Sequence, residues 1–114
     1  HDLHPPLDAS ALAYEILAAG IANSPAPILL VNEPILISDG LNSNIRYNFF
    51  YPRWAYDSYR DQLQVRAKAD GWNYLDAWDL LPPAEFTNSA IHLTPAGETV
   101  LAQAILAALD PTCP

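Results

Sequence analysis

Residues 25–31 read Pro-Ala-Pro-Ile-Leu-Leu-Val, a continuous apolar run that begins after two closely spaced prolines. A short apolar run without polar alternation is typical of a β-strand covered on both faces, as in a parallel sheet between layers of helices. We therefore predict a buried strand over residues 28–31. The elements on either side of this strand then decide what kind of sheet it belongs to.

A helix is predicted before this strand, over residues 9–22. Two candidate N-caps, Asp8 and Ser10, precede a series of apolar residues at helical spacing. The apolar residues are Leu12, Ala13, Ile16, Leu17 and Ile21. The Ser-Pro pair at 24–25 ends the pattern. Helix, short turn and buried strand together form half of a βαβ unit.

The segment after the strand contains a long loop, a second helix and a second strand. Residues 34–52 are rich in Pro, Asn and Ser, and loops of this length in compact domains are commonly functional. Pro52 is predicted at the first position of a helix over 53–69, whose inner face carries Tyr56, Tyr59, Leu63 and Ala67 before Gly71 ends it. Residues 72–76 form the second strand. Because such crossover connections join parallel strands, we predict that 28–31 and 74–75 are parallel neighbours.

The C-terminal part of the chain completes an α/β order of helix, strand, helix, strand, helix. One helical turn is predicted at 79–81 before Pro82 and Pro83, and a last helix is predicted over 95–109, with Thr94 as N-cap and the Asp-Pro pair at 110–111 closing it. Three largely apolar helices need a sheet wider than two strands to pack against. We therefore expect the chain to be part of a larger fold, with the outer edge of the 28–31 strand covered by another chain.

Composition and charge exclude several classes of function. The chain has 114 residues with 51% apolar content, which argues against disorder, and its formal net charge of -8 argues against nucleic acids and anionic membranes as partners. No apolar run approaches the roughly 18 residues that span a bilayer. Cys113 is the single cysteine and the acids show no metal-ligand spacing, so neither a metal nor a cofactor is predicted. Residues 1–7, with His1 and His4, are interpreted as an entry strap.

One motif carries chemistry. Residues 88–97 read Asn-Ser-Ala-Ile-His-Leu-Thr-Pro-Ala-Gly, which places His92 between a Pro-rich loop and a capped helix. This block resembles the C-terminal signature of the SGNH (GDSL-type) hydrolases, where Asp-x-x-His precedes Leu-x-Pro-x-Gly and a closing helix. The similarity covers residues 9–109 and implies a partial three-layer, flavodoxin-like parallel sheet. Residues 8–114 would then be the C-terminal half of such a domain.

The resemblance implies that His92 is the catalytic general base that takes the proton of a nucleophilic serine. Imidazole is the side chain best suited to proton transfer near neutral pH. Ser89 stands where the family has its Asp, beside the uncharged Asn88, and the conceivable substitutes are Asp76, Asp79 and Glu85. The Gly-Asp-Ser nucleophile block and the Gly-x-Asn-Asp block do not occur in this chain. We therefore expect a complementing N-terminal polypeptide, a small acyl-ester substrate and no hydrolysis by the chain alone.

Another class of function remains open. The chain would then be a non-catalytic α/β interaction or carbohydrate-binding module, with His92 as a surface residue that caps or packs on Pro95. Seven aromatic residues fall within thirteen positions, and three roles are open for them: a stacking platform for sugar rings, an acyl groove or part of the core. These residues are Tyr47, Phe49, Phe50, Tyr51, Trp54, Tyr56 and Tyr59. Substrate-binding residues stay unassigned at this point.

Overall fold

The computed structural model describes residues 4–109 of the chain. Its elements are α1 (Tyr14–Ala22), β1 (Leu29–Asn32), α2 (Arg53–Asp70), β2 (Asn73–Asp76) and α3 (Pro95–Leu109), with 3₁₀ turns at Ala9–Ala11 and Pro83–Glu85. The mixed α/β class and the order of helices and strands are confirmed. His1, the Asp-Pro pair at 110–111 and Cys113 lie outside the described residues.

The two strands are parallel neighbours, as predicted. Leu29 pairs with Asn73 and Asn32 with Asp76, so each strand ends at the same edge of the sheet. Within residues 4–109 the other edge of β1 pairs with no strand. The strand is half-buried up to Val31, and Ile28 before it is 38% exposed, so the expected burial on both faces is incomplete.

Helix α2 forms the crossover between the strands and packs on β2. Its buried positions are Tyr56, Leu63 and Ala67, which confirms the predicted inner face. Pro52 is the N-cap and not the first helical residue, because its ψ of 139° is extended. Gly71 ends the helix at φ 70°, a left-handed conformation that costs other residues energy.

The predicted helix over 9–22 is wrong at its start. The Asp8 carboxylate accepts a hydrogen bond from the Ser10 N–H at 2.9 Å and closes a short 3₁₀ turn, after which Leu12 is extended. In this conformation Leu12 lines a cleft beside α2, so tertiary packing overrides local helical preference. Helix α1 begins two residues later, and its buried residue is Tyr14, whereas Ile16 of the predicted stripe is 75% exposed.

Helix α3 has the predicted bounds and contacts β1. The Gly97 N–H donates to the Thr94 hydroxyl oxygen at 3.0 Å, which confirms Thr94 as the N-cap. The predicted helical turn at 79–81 is wrong, since the 3₁₀ turn lies at Pro83–Glu85. Proline is favoured in the first turn of a helix because its missing N–H would have no partner there, so Pro83 opens this turn instead of ending one.

The core lies towards the carboxyl end of the sheet. Ile35, Tyr47 and Tyr56 form its buried centre, and further aromatic rings pack around them. Much of the aromatic segment is therefore core, but Phe49 and Phe50 are exposed by 83% and 64%. None of the helices in the described part of the chain is long and apolar enough to cross a membrane.

Candidate functional site

Polar side chains end both strands at the carboxyl edge of the sheet, where open α/β folds place their ligands. Asn32 and Asp76 are the last residues of β1 and β2 and are partners in the register. The Asn32 amide Nδ2 donates to the Asp76 carboxylate oxygen Oδ1 at 3.0 Å. A hydrogen-bonded amide and carboxylate therefore join the two strand ends.

Arg60 and Gln64 of α2 complete the contacts of the Asp76 carboxylate. The Arg60 guanidinium donates from Nε at 3.2 Å and from Nη2 at 2.7 Å to Oδ2, and Gln64 donates to the same oxygen at 2.8 Å. Burial raises the pKa of Asp76, but hydrogen bonds from Arg60 and Asn32 outweigh burial and hold this pKa below its ordinary value. Asp76 is therefore a fixed anion near neutral pH and a poor proton acceptor.

Two tyrosines of α2 hold the other side of Asn32. The Asn32 amide donates to the Tyr56 hydroxyl oxygen at 3.1 Å, and the Tyr59 hydroxyl donates to the Asn32 carbonyl oxygen at 3.0 Å. Burial raises the pKa of both tyrosines, so both hydroxyls are neutral. This set of residues, which we call the strand-end clamp, consists of Asn32, Tyr56, Tyr59, Arg60 and Asp76.

A cleft of about 320 Å³ opens beside the strand-end clamp. Apolar side chains and three tyrosines form most of its wall, and Glu33 is the acidic residue among them. The lining residues are Leu12, Asn32, Glu33, Ile35, Tyr51, Pro52, Ala55, Tyr56 and Tyr59. The volume is at the lower end of the range found for small-molecule sites.

His92 lies outside this cleft, in the exposed loop before α3. Two hydrogen bonds fix its backbone: the His92 carbonyl accepts from the Thr87 N–H at 2.9 Å, and the His92 N–H donates to the Ser89 hydroxyl oxygen at 3.0 Å. The Leu36 N–H donates to the Ala90 carbonyl at 2.8 Å, which ties the loop to the segment leaving β1. His92 is therefore exposed in a loop that is hydrogen-bonded to the 34–52 segment.

The residues considered as orienting partners do not contact the His92 ring. The Ser89 hydroxyl accepts from backbone N–H groups, and the Asn88 carbonyl oxygen accepts from the Thr87 hydroxyl. Asp76 is engaged by Arg60, and the Glu85 carboxylate accepts from the Thr94 hydroxyl. Within residues 4–109 no side chain forms a hydrogen bond with the imidazole, and no group of three potential ligands could hold a metal ion.

In the strand-end clamp, Asp76 was predicted only as a conceivable orienting acid, and Tyr56 and Tyr59 only as part of the aromatic segment. Asn32, Arg60 and the neighbouring Glu33 were not predicted as site residues. A signal for the strand ends exists, because the first predicted strand is followed directly by Asn32 and the second predicted strand ends on Asp76. Parallel strands bring such positions to one edge. The partner Arg60 carries no comparable local signal, since it is one of several charged residues along α2.

Comparisons with protein-family models, with curated proteins and with solved structures find no match for this chain. The cleft beside the strand-end clamp, the His92 loop and the resemblance carried by residues 88–97 are therefore the features that bear on function.

Proposed function

We propose that the chain is the C-terminal part of an SGNH-type serine ester hydrolase in which His92 is the general base. The serine nucleophile and the oxyanion donors come from a complementing N-terminal polypeptide, and the substrate is a small acyl ester. The partial three-layer, flavodoxin-like sheet belongs to the same proposal.

The observation that carries this proposal is the position of His92. His92 is exposed in a loop tied to the segment that leaves the carboxyl end of β1, while its backbone is fixed by the Thr87 and Ser89 hydrogen bonds. A general base must be held in place and must still reach the hydroxyl from which it takes a proton. The His92 loop meets both requirements.

In this mechanism one nitrogen of His92 accepts the serine proton as the hydroxyl oxygen attacks the ester carbonyl. The resulting imidazolium then gives the proton to the departing alcohol, and the reverse sequence with water releases the acid. Asp76 does not serve as the orienting acid, because Arg60 and Asn32 engage its carboxylate. The second ring nitrogen is oriented by an acceptor of the complementing polypeptide.

The open edge of β1 supports a complementing strand. A half-buried apolar strand with an unpaired ladder is a template for pairing, and parallel sheets are normally covered on both sides. A strand added here would also continue the carboxyl edge at which His92 lies.

The test uses material purified from its natural source, whose intact mass shows whether a second polypeptide accompanies the chain. A fluorophosphonate probe then labels any activated serine, and hydrolysis of p-nitrophenyl acetate is measured on the reassembled parts. His92→Ala should lower both rates by about 10²–10⁴-fold. His4→Ala is the matched control and should leave them unchanged, because His4 stacks on the Trp54 ring 4.4 Å away. Equal rates for His92→Ala and the parent would reject the hydrolase.

A second candidate is a non-catalytic binding module, which the tyrosine-lined cleft favours. His92 is not one of the residues that line the cleft. In this case His92→Ala changes neither ligand binding nor stability, and no serine is labelled.

A further inference from the structure

We propose that the cleft at the carboxyl end of β1 binds an alkylated ammonium group, held between the rings of Tyr51, Tyr56 and Tyr59 and the carboxylate of Glu33. This inference does not depend on the role of His92, since the cleft and His92 are separate.

The rings of the cleft are arranged as adjoining walls. The Tyr51 and Tyr56 ring centroids are 5.3 Å apart with an interplanar angle of 55°, and those of Tyr56 and Tyr59 are 5.6 Å apart at 52°. Rings that meet at such angles are tilted rather than stacked flat, and all three line the concave cleft. Aromatic surfaces of this shape attract cations through the negative faces of the rings.

The charges around the cleft favour a cation. Glu33 is exposed at the cleft and forms no ion pair within residues 4–109, and no Lys or Arg belongs to the described cleft lining. Burial raises the pKa of Tyr59, and the nearby carboxylates of Asp76 and Glu33 raise it further. Because Arg60 neutralises Asp76, Glu33 is the carboxylate beside this cleft that has no ion-pair partner among the described residues. A ligand with a positive charge would therefore be attracted to this place.

Two arginines of the chain form cation–π contacts with other aromatic rings. The guanidinium carbon of Arg60 lies 4.1 Å from the Trp78 ring centroid, and that of Arg53 lies 4.4 Å from the Tyr47 ring centroid. The Arg60 charge is also held by Asp76. Among the described residues, no guanidinium lies over the three rings of the cleft. Tyr56 is 7% exposed, so an external cation would contact chiefly the half-buried rings of Tyr51 and Tyr59.

A sugar fits the cleft less well. A sugar ring needs several hydrogen-bond partners. The Asn32 amide is engaged with Tyr56, Tyr59 and Asp76, so the Tyr51 hydroxyl and the Glu33 carboxylate are the main polar groups left in the wall. The remaining wall is largely apolar, with Leu12 and Ile35 facing the space. Methyl groups around an ammonium centre suit such a wall, since they need no hydrogen bonds and bury apolar surface.

The experiment titrates the ¹⁵N-labelled 114-residue chain with choline and follows amide shifts by NMR. The matched probe is 3,3-dimethylbutan-1-ol, which has the shape of choline without its charge. We expect saturable shifts around residues 32–35 and 51–59, with choline bound at least about fivefold more tightly than the neutral probe.

Variants separate the aromatic and charge contributions. Tyr51 is the best position to change, because within residues 4–109 its hydroxyl forms no hydrogen bond, so Tyr51→Phe should keep choline affinity within about twofold. Tyr51→Leu should weaken choline by about 3–30-fold, and Glu33→Gln by a few-fold, with little effect on the neutral probe. Phe49→Leu, an exposed ring outside the cleft lining, is the control and should change nothing.

Three results would overturn the proposal. Equal affinity for both probes would show an apolar pocket without charge selectivity. Binding of methyl glucoside at the cleft without binding of choline would show a carbohydrate site. Unchanged choline affinity in Glu33→Gln and in Tyr51→Leu, with folded spectra for both variants, would place the bound choline elsewhere.

Discussion

Replacing Asp76 by asparagine removes the charge at the centre of the strand-end clamp while keeping the shape of the side chain. The Arg60 guanidinium then loses its anion but stays where it is, with 18% of its side chain exposed. The cost is expected mainly from this uncompensated cation. Asn32 and Gln64 both donate to the Asp76 carboxylate, so the single oxygen of an asparagine amide would also leave one of these donors without its present acceptor.

The magnitude follows from the geometry. Arg60 donates two hydrogen bonds to Oδ2 of Asp76, and breaking a buried ion pair on one side costs roughly 3–5 kcal/mol. Water reaches part of both side chains, so we expect a somewhat smaller cost, about 2–4 kcal/mol. This is a large fraction of the roughly 5–15 kcal/mol that stabilise an ordinary domain.

The pH dependence has a definite sign. The pKa of Asp76 is lower in the folded chain than its ordinary value, so the ion pair stabilises the fold above the unfolded-state pKa near 3.9. This contribution is lost as the pH falls through the folded-state pKa. The stability difference between the parent and Asp76→Asn should therefore shrink below about pH 4.

The assay is urea unfolding followed by tryptophan fluorescence and circular dichroism, with stabilities compared at a shared slope. Asp70→Asn is the control, since Asp70 pairs with Arg66 at the surface and should contribute little. Asp76→Asn combined with Arg60→Met should cost less than the sum of the single changes, because no guanidinium is left unpaired. A loss below about 1 kcal/mol for Asp76→Asn, or strict additivity, would refute the reasoning.

Three further predictions test other parts of the fold. Gly97→Ala places a Cβ 3.1 Å from the Glu85 Cβ and should lower the free energy of unfolding in urea by about 1–3 kcal/mol. The control is Gly20→Ala in α1, whose Cβ meets nothing within 4 Å and should stabilise the fold by about 1 kcal/mol. A Gly97→Ala chain as stable as the parent would contradict the close packing. Tyr74→Phe removes a buried hydroxyl without a partner among residues 4–109 and should raise the free energy of unfolding by about 1 kcal/mol, so a loss would reveal a missing partner. Burial and the hydrogen bond to Asp57 raise the pKa of Tyr47 to about 12. The contribution of Tyr47 to stability is therefore complete below about pH 10 and is lost between about pH 10 and 12. Ultraviolet titration of the parent and of Tyr47→Phe checks this, and titration of Tyr47 near its ordinary pKa of about 10 would contradict it.

The parts of the fold that follow from local pattern were predictable. The apolar run at 28–31 gives β1 with a shift of one residue, and the spacing of Tyr56, Leu63 and Ala67 gives the buried face of α2. Gly71 and Thr94 end and begin their helices as expected, because a left-handed conformation and a hydroxyl cap are properties of single residues.

The parts that depend on tertiary contacts were not predictable in the same way. Leu12 fits a helical stripe, yet its place in the cleft wall interrupts the helix. The contact of Asn32 with Asp76 joins residues 44 positions apart, and no local period encodes it. The position of His92 was predictable from the flanking motif, while the role assigned to it remains a proposal.

The parallel register also affects the chain during synthesis. The residue that pairs with the end of β1 follows it by 44 positions, and a hairpin cannot substitute for it because the strands run in the same direction. At about 5–20 residues per second, the ribosome needs about 2–9 s to add those residues. Throughout that interval the apolar residues of the nascent strand are exposed to chaperones and to neighbouring nascent chains, so translation speed through residues 33–76 should influence the soluble yield.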